Sequence, residues 1–214
     1  MPSRKVPKLR LVATDTQPSK AKKPAKAPKT AAPTLVLKVT LRGSKPPIWR
    51  RVAVASNKTL AHLHDVIQAA FGWYNCHLHQ FTTRNGLRFA PPSEFGDDFD
   101  TDGDTRKVAL ETIVEELSGG VVYEYDFGDG WEHLIKLEKV LEPDAAKPPP
   151  MCLAGARRCP PEDCGGIWGY MNLLDTLANP KHPDHDDMIE WIGGPIDPQE
   201  FDLDKSNKAV RKLR

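Results

Sequence analysis

The most restrictive feature of this sequence is a pair of alternating segments that flank a short glycine turn. Apolar or aromatic residues, with one histidine, occupy every second position on both sides of it: Val121, Tyr123, Tyr125, Phe127, Trp131, His133, Ile135 and Leu137. Such alternation is typical of strands with one buried face, and the glycines at 128 and 130 suit a tight turn. The sequence therefore predicts an antiparallel β-hairpin over residues 121–140.

The end of this hairpin carries more charge than a turn needs. Asp126, Asp129, Glu132 and His133 lie within eight residues of one another. Carboxylate oxygens suit magnesium or manganese, and a bound ion can activate water or stabilise a phosphoryl transition state. These four residues are therefore candidate catalytic residues of a metal-dependent hydrolase or nuclease. Alternatively, they pair with arginines and cap loops without any catalytic role.

The sequence on both sides of the hairpin alternates between strand and helix patterns. Thr59 is a suitable N-cap for a helix that ends before Gly72, and Asn85-Gly86 is typical of a hairpin turn. The predicted class is α+β, with one domain whose antiparallel or mixed sheet packs against helices. The other predicted strands cover 35–41, 48–54, 73–81 and 87–89, and the predicted helices cover 60–71, 108–117, 168–177 and 184–192, with a further helical turn from Asp197.

Two consecutive arginines lie in the second predicted strand, directly after Trp49. Arg50 and Arg51 must point to opposite faces of that strand, so one of them lies near the core and needs a partner. The acidic end of the hairpin could supply a carboxylate. The alternative is that these arginines bind an anion.

Two histidines, His77 and His79, are predicted to lie on one face of a strand. A pair at this spacing can ligate one metal ion, or it can simply pack and form hydrogen bonds.

Three of the four cysteines, Cys152, Cys159 and Cys164, occur within thirteen residues. The surrounding prolines and glycines predict a rigid loop over residues 152–166. Three thiolates are one ligand short of a tetrahedral zinc site, which His133, His77 or His79 could complete. The alternative is that these are reduced structural thiols, because the spacing differs from a paired C-x-x-C motif.

Charge is unevenly distributed along the chain. Residues 1–33 contain nine Lys or Arg and one Asp, residues 34–204 contain sixteen basic and twenty-eight acidic residues, and residues 205–214 are basic. The first segment is rich in Lys, Pro and Ala and is predicted to be disordered. It is either a nucleic-acid-binding arm or a solubilising leader. Its densest lysines are Lys20, Lys22, Lys23, Lys26 and Lys29.

The chain contains no apolar run approaching the roughly 20 residues that span a bilayer. Its first residues also lack the apolar centre of a signal peptide. We therefore expect a cytoplasmic protein without membrane contact.

Several motifs together resemble the plasmid pRiA4b ORF-3-like family over roughly residues 34–204. The motifs are Pro47-Ile-Trp-Arg-Arg51, His77-Leu-His79, Tyr125-Asp-Phe-Gly-Asp-Gly-Trp-Glu-His133, Cys159-Pro-Pro-Glu-Asp-Cys-Gly-Gly166 with Gly169-Tyr170, and Asp197-Pro198 with Phe201-Asp202. Cys76 is not part of this pattern. Within the motifs, Trp49, Arg50, Arg51, Trp131, Glu162 and Asp163 are candidate binding residues.

The resemblance implies an α+β fold and a gene carried on plasmids or beside insertion elements. Members of the family are often labelled resolvase-like. A serine resolvase needs a nucleophilic serine among arginines. The chain has few serines, and none of the following stands in such a cluster: Ser44, Ser56, Ser93, Ser118 and Ser206. A resolvase activity is therefore not supported by this sequence.

These observations favour a non-enzymatic binding or accessory module for a mobile element, with the basic arm contacting nucleic acid. The alternative is the metal-dependent hydrolase described above. In either case, we expect the functional site where the turn at 126–133, the segment at 77–79 and the loop at 152–166 meet.

Overall fold

The computed structural model of the chain describes residues 31–92 and 101–213. The Lys-rich segment that is predicted to be disordered covers residues 1–33, and its residues 1–30 lie outside the described ranges. Of that segment, residues 31–33 are described and adopt no regular structure. Residues 31–214 form one compact unit.

A single mixed sheet organises the described residues. Its strands are β1 (Thr34–Leu41), β2 (Trp49–Ala55), β3 (His79–Thr82), β4 (Arg88–Ala90), β5 (Gly103–Asp104), β6 (Val121–Tyr125), β7 (Trp131–Leu141) and β8 (Met151–Ala156). Their order across the sheet is β5-β4-β3-β6-β7-β1-β2-β8. Neighbouring strands run antiparallel, except that β4 and β5 run parallel. The predicted α+β domain with a mixed sheet is confirmed.

Five α-helices accompany the sheet in the described ranges. They are α1 (Leu60–Phe71), α2 (Val114–Gly119), α3 (Gly166–Ala178), α4 (His185–Ile192) and α5 (Leu203–Val210), and short 3-10 turns precede α2 and follow α5. The predicted cap of α1 is present, since the Thr59 side chain accepts a hydrogen bond from the His62 backbone. No helix in these ranges has the length and apolar character needed to cross a bilayer.

The central hairpin forms as predicted and determines which side chains enter the core. Phe81, Tyr123, His133 and Leu41 lie side by side across β3, β6, β7 and β1, and all are buried. Helix α1 packs over this row of side chains. Its His64 ring forms a hydrogen bond with the Tyr123 hydroxyl at 2.7 Å. Successive residues of β7 face opposite sides of the sheet, so that Trp131, His133 and Ile135 lie on the buried side.

Two local predictions are wrong. Residues 151–156 form β8 on the edge of β2 rather than a loop, because this stretch lies between Pro150 and Pro160 and can pair with free backbone groups of β2. His77 precedes β3 and so does not share a strand face with His79. A single turn begins at Asp197, as predicted, and the Asp197 side chain accepts a hydrogen bond from the Gln199 N–H. The last helix begins after Asp202, whose side chain accepts a hydrogen bond from the Lys205 N–H.

Candidate metal centre

Three segments that precede or follow strands meet at one end of the central hairpin. They are residues 73–78 before β3, the turn at 126–130, and the loop at 157–165 before α3. The Asp126 backbone N–H donates to the Leu78 carbonyl at 2.9 Å. The Gly165 N–H donates to Asp129 Oδ2 at 3.2 Å, and the turn and the loop are thereby joined.

The start of α3 lies against the turn because residue 166 is glycine. A Cβ atom at Gly166 would lie 2.2 Å from the Asp129 carbonyl oxygen, and the residue has a φ of +68°. The close contact excludes a side chain here, because the Asp129 backbone cannot move aside as a flexible side chain can. The positive φ independently favours glycine. This close approach positions the loop carrying Glu162 and Asp163 beside the hairpin turn.

His77, Asp126 and Asp163 form the centre of the site. His77 Nε2 lies 3.3 Å from Asp163 Oδ1 and 3.7 Å from Asp126 Oδ2. One ligand atom from each residue lies within 4.8 Å of the other two. In tetrahedral coordination, two ligand atoms about 2.1 Å from one ion lie about 3.4 Å apart. The spacing of these atoms therefore suits a shared metal ion.

Both aspartates of this centre have left-handed backbone conformations. Asp126 has a φ of +56° and Asp163 a φ of +58°. Aspartate tolerates this region better than most residues, but such conformations are uncommon and often occur at functional sites. Asp126 is held there by two further bonds, because its Oδ1 accepts from the Gly128 N–H and its carbonyl accepts from the Gly130 N–H.

A second group of potential ligands shares His77. Cys76, His77 and Glu162 also offer ligand atoms within 4.8 Å of one another. Glu162 is buried and accepts hydrogen bonds from the Tyr125 hydroxyl at 2.6 Å and from the Tyr74 N–H at 3.0 Å. Burial, followed by this bond to Glu162, raises the pKa of Tyr125 above its usual range. Tyr125 therefore stays protonated and holds the Glu162 carboxylate in place.

No Lys or Arg of the described residues lies within ion-pair distance of the carboxylates at this site. Among the described residues, Asp126 and Asp163 form ion pairs with His77 alone, and Glu162 and Asp129 form none. A buried or clustered carboxylate without a basic partner is unfavourable unless a cation approaches it. The electrostatics of this site therefore favour a bound cation.

The four predicted catalytic residues do not form one group. Glu132 and His133 are neighbours on β7, so they face opposite sides of the sheet. Glu132 is half-buried and pairs with Arg42 at 2.7 Å, whereas His133 is fully buried with its ring against Phe71 and Trp73. Burial lowers the pKa of His133 to about 3, so this ring is neutral. Of the four, Asp126 and Asp129 reach the site.

The predicted pairing of the arginines with the hairpin acids is wrong. Arg50 is buried and donates to four backbone carbonyl oxygens, those of Ala70, Trp49, Ala156 and Arg157. Arg51 lies on the other face and pairs with Glu138. Backbone carbonyls replace the expected carboxylate because β8 ends and α1 ends on either side of Arg50.

The remaining candidate binding residues are spread over the molecule. Trp131 is buried in the core beside Trp73. Trp49 is half-buried, and the Lys38 amine and the Arg51 guanidinium lie over its ring. Glu162 and Asp163 reach the site. Of the two arginines considered for an anion site, Arg50 is buried and therefore not accessible from the surface.

The three cysteines are not brought together with a histidine in the part of the chain that the structure describes. Cys152 is buried on β8, and its thiol lies 3.8 Å from the Ala154 carbonyl oxygen. Burial raises the pKa of Cys164 to about 12 and that of Cys159 further, so both remain thiols. His79 stacks on His64 with ring centroids 3.6 Å apart, and burial lowers its pKa to about 3. Of the predicted zinc ligands, only His77 belongs to the two groups of potential metal ligands described above, and it belongs to both of them.

Sequence reasoning missed the roles of Tyr125 and Cys76. Tyr125 was assigned to the core face, and its ring is indeed buried, but its hydroxyl reaches Glu162. Cys76 was set aside because it lies outside the family pattern, yet it is next to His77. The one available signal was the predicted meeting of the three segments, since their contact brings these residues together.

The chain is similar to other proteins in both sequence and fold. It is 41% identical over 179 residues to the uncharacterized protein y4hQ of Sinorhizobium fredii (strain NBRC 101917 / NGR234), an alignment that covers 83% of this chain and 90% of that protein. The crystal structure of MM3350 from Methanosarcina mazei Go1, a protein of unknown function, has a TM-score of 0.73 at 33% identity and covers 82% of this chain and 98% of that one. The profile of the plasmid pRiA4b ORF-3-like proteins matches residues 33–205. With this match over most of its length, the chain belongs to the plasmid pRiA4b ORF-3-like family.

Proposed function

We propose that this protein is a binding module whose central feature is a divalent metal ion held by His77, Asp126 and Asp163. The observation that carries the proposal is the 3.3 and 3.7 Å spacing of the His77 nitrogen from the two carboxylates, which have no Lys or Arg partner among the described residues. A mixed nitrogen and oxygen ligand set suits zinc or manganese.

The proposed ion has open coordination positions. Three protein ligands leave room for water or for an oxygen of a ligand, as in metal sites that act on small molecules rather than in purely structural sites. The Asp163 side chain is 71% exposed, so the ion is accessible from solvent. The site can therefore bind an external ligand through the metal.

A binding role is favoured over hydrolysis. General acid or base catalysis needs a titratable group free to exchange a proton with the substrate. In the described part of the site, Glu162 accepts hydrogen bonds from the Tyr74 N–H, the Tyr125 hydroxyl and the Cys76 thiol. Asp129 accepts one from the Gly165 N–H, and Asp126 and Asp163 are the proposed ligands. The hydrolase built on Asp126, Asp129, Glu132 and His133 is set aside because those residues are separated.

The metal site is tested by titration with manganese, followed by the electron paramagnetic resonance signal of free Mn²⁺. Wild-type protein is expected to bind one equivalent. Asp126→Asn and Asp163→Asn each remove a charge from a proposed metal ligand. Substitutions of residues that only support metal ligands weaken metal binding by roughly 10- to 100-fold. We expect each of these two substitutions to weaken Mn²⁺ binding by at least as much. Asp175→Asn, on the exposed side of α3, is the matched control. Equal affinity in all four proteins would show that the ion binds elsewhere.

We also propose that the Lys-rich segment contacts nucleic acid and that the protein has an accessory role for a mobile element. The supporting observation is the charge distribution: nine basic residues against one acidic residue in 1–33, in a chain whose residues 34–204 are acidic. Each lysine beside a phosphate releases a counterion, which makes binding sensitive to salt.

The second proposal is tested by replacing Lys20, Lys22, Lys23, Lys26 and Lys29 with glutamine, which preserves the length of the chain. If all five contact phosphates, the slope of log affinity against log salt should fall by about 4 to 5, at roughly 0.9 per contact. Fluorescence anisotropy with a short DNA duplex gives this slope. Deletion of residues 1–30 removes all nine basic residues of the segment, so it should lower the slope by at least as much. It spares Pro33, whose carbonyl accepts a hydrogen bond from the Ser56 N–H. An unchanged slope contradicts the proposal.

A further inference from the structure

A cleft of 260 Å³ opens beside the proposed metal site. Asp163 belongs to both, because it lines the cleft while its Oδ1 lies 3.3 Å from His77 Nε2. The opposite walls come from α3 and α4, and no candidate residue for a function was predicted on either helix. Its lining includes Asn172 and Leu173 of α3 and Met188 and Trp191 of α4.

The cleft combines a flat aromatic side chain with a few polar groups. Trp191 is 49% exposed and lies on α4, none of whose residues is fully buried. Leu173 and Met188 add apolar surface, and the Asn172 side chain offers one donor group and one acceptor group. An exposed indole face suits stacking by a planar ring, and an amide suits the hydrogen-bonding edge of a heterocycle.

The charge of the cleft restricts how an anion could bind there. The residues that line it include no Lys or Arg, and Asp163 would repel a phosphate. A metal ion at His77, Asp126 and Asp163 reverses this, because ions held by one or two carboxylates commonly complete their coordination with phosphate oxygens. The binding of an anionic group in the cleft therefore depends on the metal ion, whereas the binding of a planar ring depends on stacking against Trp191.

We propose that the cleft and the ion together bind one nucleotide, with its 5′-phosphate on the ion and its base stacked on Trp191. This inference rests on the metal site proposed above. The volume is slightly below the roughly 300–1,000 Å³ of pockets for drug-sized ligands, so it accommodates a single nucleotide rather than a longer segment. The nucleotide is either free in solution or the 5′-terminal unit of a nucleic-acid strand.

The test is isothermal titration of the full chain, loaded with Mn²⁺ or stripped of metal, with the four nucleoside 5′-monophosphates. At least one should bind to the loaded protein, and removing the metal or using the nucleoside without its phosphate should weaken its binding at least tenfold. Trp191→Ala should weaken it about tenfold while leaving Mn²⁺ affinity unchanged. Trp168→Ala removes an exposed tryptophan of α3 that does not line the cleft, and it should change neither affinity.

The outcomes separate the two proposals. Normal Mn²⁺ binding without nucleotide binding, or with binding that ignores Trp191, overturns the nucleotide assignment and leaves the metal site standing. If the wild-type protein does not bind Mn²⁺, the metal site is overturned. If that metal-free protein nevertheless binds a nucleotide, the proposed role of the ion in nucleotide binding is overturned as well. Tighter binding of a 5′-phosphorylated dinucleotide than of the monophosphate identifies a strand end as the ligand, and weaker binding identifies a free nucleotide.

Discussion

Replacing Arg50 by methionine is expected to lower the free energy of unfolding by about 3 to 5 kcal/mol. The guanidinium donates to the carbonyl oxygens of Ala70, Trp49, Ala156 and Arg157, and it lies over the rings of Phe71 and Phe201. Methionine fills much of the volume but donates nothing. Each buried acceptor left without a donor costs about 1 to 3 kcal/mol. Burial lowers the pKa of Arg50, which indicates that the buried charge is itself unfavourable. Removing this charge therefore offsets part of the cost.

The neighbouring arginine provides the control. Arg51→Met removes a pair with Glu138 on the other, more exposed face, and a surface pair contributes at most about 1 kcal/mol. Arg50→Lys keeps the charge but cannot serve four acceptors, so it should fall between the two. Urea unfolding followed by tryptophan fluorescence measures all three. If Arg50→Met and Arg51→Met cost the same, the carbonyl contacts do not stabilise the fold as described.

The second large effect is expected at Gly169, on the first turn of α3. A Cβ atom there would lie 1.8 Å from the Cys164 carbonyl oxygen and 2.8 Å from its carbonyl carbon. Both are backbone atoms of the loop that carries Glu162 and Asp163, so the loop itself must move. We expect Gly169→Ala to cost about 3 kcal/mol, the upper part of the range for overpacking. It should also weaken Mn²⁺ binding, because Asp163 directly precedes Cys164.

Gly119→Ala is the matched control for this change. Gly119 is also a helical glycine, at the end of α2, and a Cβ atom there meets nothing within 4 Å. Alanine should leave stability unchanged or raise it by up to about 1 kcal/mol through helix propensity. Thermal unfolding and Mn²⁺ titration of the two variants separate the effects. A Gly169→Ala protein with wild-type stability would contradict the close approach of α3 to its preceding loop.

The sequence predicted those parts of the fold that depend on local patterns. The alternation over 121–140 predicted β6 and β7, and Thr59 with Gly72 predicted the ends of α1. The same alternation also places His133 with Trp131 and Ile135 on the inner face and Glu132 on the outer one. Grouping Glu132 with His133 by their nearness in sequence overlooked this two-residue period.

Other features depend on contacts between distant segments and could not be predicted. The acceptors of Arg50 come from α1, β2, β8 and the loop after it, so no single stretch of sequence reveals them. Strand β8 was missed because it lies next to a loop dense in proline and glycine. The meeting of the three segments at the site was predicted, but which side chains point inward was not. Asp163 joins His77 because a left-handed backbone turns it there.

The central claim is that His77, Asp126 and Asp163 hold a metal ion, and anomalous X-ray diffraction tests it most directly. Crystals grown with zinc would be measured on both sides of the zinc absorption edge. One strong peak is expected about 2.0–2.2 Å from His77 Nε2 and from one oxygen of each aspartate. A peak among Cys152, Cys159 and Cys164 instead, or no peak on the protein at all, would contradict it.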